Sequence, residues 1–205
     1  MARIKLAIMG GVFNPVHIGH LVCAEEAATQ FGLDQVIFMP AGIAPHKQSA
    51  AATPEERYEM AVIATASNPR FEVSRYEVDQ NQVCYTVDTL RRFRQEYLED
   101  ELFFITGTDA IADVLSWKEP AAITGLATVI AAHRPGHSLA EMPAATREFL
   151  EENGVRIMEI PCIDVSSSLI RERVAQGKSI RYLVPEGVER FIEKERLYLQ
   201  DQPQA

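Results

Sequence analysis

Two histidines three residues apart, His17 and His20, follow a glycine pair, Gly10-Gly11, where an apolar run gives way to a helical pattern. The glycines let the backbone turn sharply and come close to a ligand with no side chain intervening. With a helix opening near Ile18, both imidazoles project from its first turn, where unpaired N–H groups and the positive end of the helix dipole attract an anion. Imidazoles there add hydrogen bonds to phosphate oxygens, and Gly19 leaves that surface open. Ordinary surface histidines and zinc ligands are the alternatives. For zinc, the nearest further ligand is Cys23, which rotates well away from the His17 face, and no Cys-x-x-Cys completes a site. No metal ligand set is expected from the protein itself.

A second stretch, Val165-Ser166-Ser167-Ser168-Leu169-Ile170-Arg171, leads into another helix. Capping of free backbone donors explains one serine. Three in a row with an arginine one turn on also suit an anion. Other candidates stand singly. Lys47, in Pro45-His46-Lys47, reads alone as a surface lysine. Asp109 closes Thr106-Gly107-Thr108-Asp109 and serves equally well as a ligand contact or a helix N-cap. Trp117, the single tryptophan, reads as a core residue before it reads as a stacking surface. Arg134, in His133-Arg134-Pro135-Gly136, is placed by a turn near the same sheet edge.

These residues follow short apolar runs that must hold them. Lys5 to Met9, Gln35 to Met39, Phe71 to Ser74, Glu101 to Ile105, Thr128 to Ala132 and Val155 to Ile160 read as strands, several apolar enough for burial on both faces. Helices are expected between them. One runs through Leu21 to Phe31 and stops at Gly32; another starts at Thr53 with Pro54 and a capping-box Glu56 and runs to about Ser67. A third, Val87 to Tyr97, is capped by Thr86. The last ones cover about Ala140 to Asn153, the helix that the Val165 to Arg171 stretch leads into and that ends around Gln176, and Pro185 to Tyr198 with its amphipathic pattern. This alternation predicts a doubly wound parallel sheet in a three-layer α/β/α domain, with the strand-end loops gathered along one carboxyl edge. The long connection Pro40 to Ala52 has the length of a functional loop. One domain is expected over residues 1–205, with 166–200 a helical C-terminal part.

A net charge of −9 argues against a general nucleic-acid binder and for a small phosphorylated ligand held by a local cluster of cations. Cys23, Cys84 and Cys162 are too widely spaced for a disulfide framework, which points to a reducing cytoplasm. Met1 to Met9 is too short for an export segment, and no apolar run approaches the ~20 residues of a membrane span.

Gly10 to His20 resembles the HxGH motif of the nucleotidyltransferase superfamily, and Val165 to Arg171 resembles its second signature, hydrophobic-Ser-Ser-Ser/Thr-x-Ile-Arg. Over most of the chain the resemblance is closest to the bacterial nicotinate-nucleotide adenylyltransferases. It is carried further by Pro45-His46-Lys47, Tyr85-Thr86-Val87-Asp88-Thr89, Gly107-Thr108-Asp109, Ser116-Trp117 and Arg134-Pro135-Gly136. The resemblance implies a Rossmann-like fold of the HxGH type and an enzyme of NAD biosynthesis. That enzyme transfers AMP from ATP to nicotinate mononucleotide, giving nicotinate adenine dinucleotide and pyrophosphate, with Mg2+ accompanying ATP. Attack is direct and in line, so the protein supplies alignment and charge stabilisation rather than a nucleophile.

By resemblance, Gly10, Gly11, Val12, Phe13, His17, Gly19, His20, Gly107, Asp109, Ser166, Ser167 and Arg171 bind ATP. His17, His20 and Arg171 form the catalytic set, with His20 foremost at the transition state. Lys47 and Arg134 are the implied cations for substrate phosphate, and Tyr85, Thr86 and Trp117 the implied nicotinate pocket. The implied partners are these two small molecules, with a homo-oligomer left open and neither nucleic acid nor membrane expected. Val12 stands where Thr or Ser is common, and Asn14 where Asp is common, which puts in question any role that needs a carboxylate there. The rival readings are another superfamily enzyme, such as a phosphopantetheine adenylyltransferase or a cytidylyltransferase, and a nucleotide-binding regulator without catalysis. Trp117 and Tyr85-Thr86 count against the first, and the retained His17, His20 and Arg171 against the second. A class I aminoacyl-tRNA synthetase shares a similar histidine motif, but this chain is short and acidic for one.

Overall fold

The computed structural model describes residues 3–43, 52–80, 82–133 and 142–199. Six strands, β1 (Lys5–Gly11), β2 (Gln35–Pro40), β3 (Phe71–Val73), β4 (Glu101–Gly107), β5 (Thr128–His133) and β6 (Arg156–Glu159), form one sheet in the order β3-β2-β1-β4-β5-β6. Every pairing is parallel. The chain therefore steps outward from β1 to β3, crosses back to β4 beside β1, and steps outward again. Its switch of direction lies between β1 and β4, where the strand ends diverge into a crevice.

Side chains alternate across the sheet, and both faces are covered. From β1, Ala7 and Met9 enter one apolar layer while Leu6 and Ile8 enter the other. The first layer packs under α1 (Ile18–Phe31), α2 (Pro54–Thr65), α7 (Ser167–Ala175) and α8 (Glu186–Lys194), through Ala24, Met60, Ile170 and Ile192. The second packs under α3 (Thr86–Glu96), α5 (Pro120–Leu126) and α6 (Ala144–Glu152), through Leu90, Ile123 and Leu150. The expected doubly wound Rossmann-like sheet is thus observed. Among the described residues no helix is long and apolar enough to cross a membrane.

Several boundaries differ from the expected ones. α3 begins at Thr86, not after it: Tyr85 is the N-cap, without a side-chain hydrogen bond, so Thr86 is not the cap. β4 runs on through Gly107 and passes directly into the short helix α4 (Thr108–Ile111), whose N-cap is Gly107. Asp109 lies within that first turn and is not the cap. α2 ends at Thr65. α8 ends at Lys194, well before Tyr198, because Arg196 and Tyr198 take left-handed backbone angles (φ 55° and 64°) that break the helix. The break folds Leu197 and Tyr198 back into the core. α1 is stopped as expected, with Gly32 at φ 63°, and Thr53 and Glu56 form the expected capping box of α2.

Candidate active site

The loop from β1 to α1 is built tightly. Phe13 sits at φ 49°, an uncommon angle for a residue with a side chain, and its ring meets His20 edge-on at 5.0 Å. A Cβ on Gly11 would stand 2.9 Å from that ring, so Gly11 cannot carry one without displacing Phe13. His17 is the N-cap of α1 and is buried. Its backbone N–H donates to His20 Nδ1 at 3.2 Å, and the two imidazoles stack at 3.7 Å with 24° between planes. A Nδ1 that accepts puts the ring proton of neutral His20 on Nε2, which makes that atom the donor.

The second signature closes over this loop. Ser166 caps α7 by accepting from Leu169 N–H at 3.2 Å. Ser167 Oγ donates to the carbonyl of Pro15 at 2.9 Å, and Arg171 donates through Nη1 to the Asn14 carbonyl at 2.8 Å and through Nη2 to Ser168 Oγ at 3.1 Å. The Asn14 side chain turns inward instead: its Oδ1 accepts from the buried Tyr198 hydroxyl at 2.8 Å. Burial raises the Tyr198 pKa, so the phenol stays protonated and remains the donor. Asn14 at this position serves an uncharged internal bond, and the Val12 backbone carbonyl accepts from Arg57 at 2.8 Å.

Beside this loop a cavity of about 280 Å³ opens at the carboxyl ends of β1, β2 and β4. Gly10, Gly11, Met39 and Phe104 line its sheet side, and Tyr85, Thr86, Trp117 and Lys118 its outer side. Trp117 is half-buried and packs edge-on against Phe104 at 6.3 Å, so it is at once a core contact and a cavity wall. Lys118 places its ammonium 5.0 Å from the Tyr85 ring and 2.8 Å from Asp88. Gly107 and Asp109 are exposed at the end of β4, and a Cβ on Gly107 would meet nothing within 4 Å. Lys47 and Arg134 lie outside the described residues. Among the described residues no group of three or more His, Cys, Asp or Glu side chains is placed to hold a metal ion.

Sequence reasoning passed over Arg57, Glu77 and Tyr198. Glu77 lines the cavity, and its carboxylate accepts from Thr89 Oγ1 at 2.6 Å. Its backbone is approached so closely that a Cβ on Gly42 would stand 2.1 Å from the Glu77 carbonyl oxygen. Burial pushes the Glu77 carboxyl up to about 7, against the pull of the Thr89 bond. Since the folded protein holds this proton more tightly than the unfolded chain, its contribution is full below the ordinary value of 4.5 and is lost as pH rises towards 7. The shift caps the loss at about 3 kcal/mol. Denaturant melts at pH 5 and pH 8 check this: Glu77→Gln should lose less stability than the parent between the two.

Residues 8–173 match the cytidylyltransferase-like family. A Kineococcus radiotolerans protein named "Probable nicotinate-nucleotide adenylyltransferase" is 49% identical over 191 residues, 93% of this chain and 89% of the relative. The chain belongs to the nicotinate-nucleotide adenylyltransferase family. A Tropheryma whipplei protein of the same name is 47% identical over 190 residues, 93% of this chain and 97% of its own. As a nicotinate-nucleotide adenylyltransferase family member, the chain is a nucleotidyltransferase, as the two signatures implied. The solved nicotinic acid mononucleotide adenylyltransferase of Plasmodium falciparum complexed with NaAD superposes with a TM-score of 0.77, covering 96% of this chain and 98% of that one. At 16% identity that likeness speaks for the fold.

Proposed function

We propose that this site transfers AMP from ATP to nicotinate mononucleotide, producing nicotinate adenine dinucleotide and pyrophosphate. The observation that carries the reading is the junction at the switch point, where a histidine-bearing loop at a helix N-terminus adjoins an apolar cavity walled by Trp117 and Thr86. The triphosphate lies over the N-termini of α1 and α7, against His17, His20 and Arg171, with the adenosine side at Gly107 and Asp109. The nicotinate ring lies against Trp117. Its carboxylate meets the first N–H groups of α3, which have no partner within the helix, and this favours the acid over the amide. Lys47 and Arg134 hold the acceptor phosphate.

An oxygen of the acceptor phosphate attacks the α-phosphorus of ATP in line; the new P–O bond forms as the bond to the β-phosphate oxygen breaks and pyrophosphate departs. His20 Nε2–H donates to an oxygen of the transferred group, and Arg171 offsets charge gathering on the leaving side. Magnesium, which usually keeps several waters and binds substrate phosphates with few protein ligands, fits a site where the described residues offer no cluster of protein ligands, and it would neutralise triphosphate charge. The wide spacing of the cysteines supports a reducing, cytoplasmic setting.

Purified protein incubated with ATP, magnesium and a panel of acceptors tests the reading. Pyrophosphate release is expected with nicotinate mononucleotide, more slowly with the nicotinamide form. Silence with both pyridine mononucleotides rejects the assignment, and faster release with phosphopantetheine moves it to that sibling activity.

A further inference from the structure

Arg57, in the first turns of α2, is 1% exposed. Arginines are almost never so buried unless paired, yet among the described residues no carboxylate forms an ion pair with it. Residues 44–51, which continue the nearby loop, contain no Asp or Glu. Burial presses its pKa down, but a guanidinium keeps its proton in proteins. Among the described residues its hydrogen bonds go to two carbonyls: Nη1 donates to Val12 O and Nη2 to Gly42 O, both at 2.8 Å.

Those carbonyls belong to different loops, which both reach the cavity, through Val12 and Ala41. Val12 lies in the loop after β1 that carries the histidines, and Gly42 in the loop after β2, which leads on to Lys47. The last backbone bond tying the two loops in the direction of the ligands is Ala41 N–H to Gly11 O at 2.9 Å. Beyond it the sheet ladder has ended, and the planar guanidinium fork takes over the spacing.

We infer that Arg57 is a positioning residue for adenylyl transfer, fixing the separation of the ATP-side loop and the acceptor-side loop without touching either substrate. The inference rests on the substrate assignment proposed above. Alignment of two bound reactants is worth orders of magnitude in rate and is sensitive to displacements of about 1 Å. A ligand spanning both halves depends on the same spacing, whereas a ligand occupying one half does not.

Calorimetric titration of the parent, Arg57→Lys and Arg57→Met with AMP, nicotinate mononucleotide and nicotinate adenine dinucleotide tests this. Each mononucleotide should bind the folded variants within about threefold of the parent, while the dinucleotide weakens about 30-fold or more in Arg57→Met. Turnover should fall about 100-fold with KM values little changed. Arg57→Lys should lie between, because an ammonium keeps the charge but lacks the fork. Parent-like dinucleotide affinity in a folded variant overturns the inference. So does failure of both variants to fold even with dinucleotide present, which would make Arg57 a folding residue. If the parent itself binds the dinucleotide no better than its halves, the substrate assignment fails instead.

Discussion

His20→Ala should lower kcat by about 10²–10³-fold, the usual cost of deleting one preorganised donor to a developing charge, while ATP binding changes only a few-fold. The split follows from the way the ring is held. The His17 N–H occupies His20 Nδ1, the stack with His17 fixes one face, and the Phe13 edge meets the ring at 5.0 Å. The donor at Nε2 is therefore oriented before substrate arrives, so it adds most where phosphoryl charge changes most. In the proposed binding mode ATP keeps its contacts with backbone N–H groups of α1 and with Arg171. Single-turnover rates with saturating ATP and acceptor, compared with ATP affinity without acceptor, measure the two effects separately. Unchanged turnover would remove His20 from the mechanism, and an equal loss in both would make it a ground-state contact.

For Arg171→Ala the expected pattern is different: ATP affinity and turnover both fall, lowering kcat/KM for ATP by about 100-fold or more. Arg171 offers a cation at the loop and also steadies that loop through the Asn14 carbonyl. Removing it strips charge from the proposed triphosphate site and loosens the turn that presents His17. Arg171→Lys should recover little, because one ammonium cannot hold the Asn14 carbonyl and Ser168 together while meeting a phosphate. Steady-state kinetics with ATP varied at fixed acceptor read this out. A lysine variant with parent-like kcat/KM would reduce Arg171 to a simple point charge.

The strands were legible because a parallel sheet covered on both faces writes itself as continuous apolar runs; Leu6 to Met9 shows this, with alternate residues in opposite layers. The two signature stretches were legible mainly together, through their resemblance to a known pair of motifs, since each alone also read as capping serines or surface histidines. The end of α8 was not. It is set by left-handed angles at Arg196 and Tyr198, residue types that carry no letter-level signal for such a turn. Arg57 was hidden for a different reason. It follows Thr53-Pro54-Glu55-Glu56, where charged letters read as a solvated helix start, and only the tertiary fold turns its guanidinium inward. Asn14 was visible as a departure from the family pattern, but its partner is 184 positions away. Trp117 defeated the choice posed to it, since a half-buried ring serves the core with one edge and the cavity with another.

The contacts of Asn14 and Pro15 with Tyr198, Arg171 and Ser167 span 184, 157 and 152 positions. During synthesis the histidine loop is therefore translated 152 to 184 residues ahead of its braces. At about 5–20 residues per second, the loop waits roughly ten seconds or more for them. In that interval β1 to β5 can pair while the loop still lacks the contacts that hold it, so the order of synthesis places the sheet before its histidine loop.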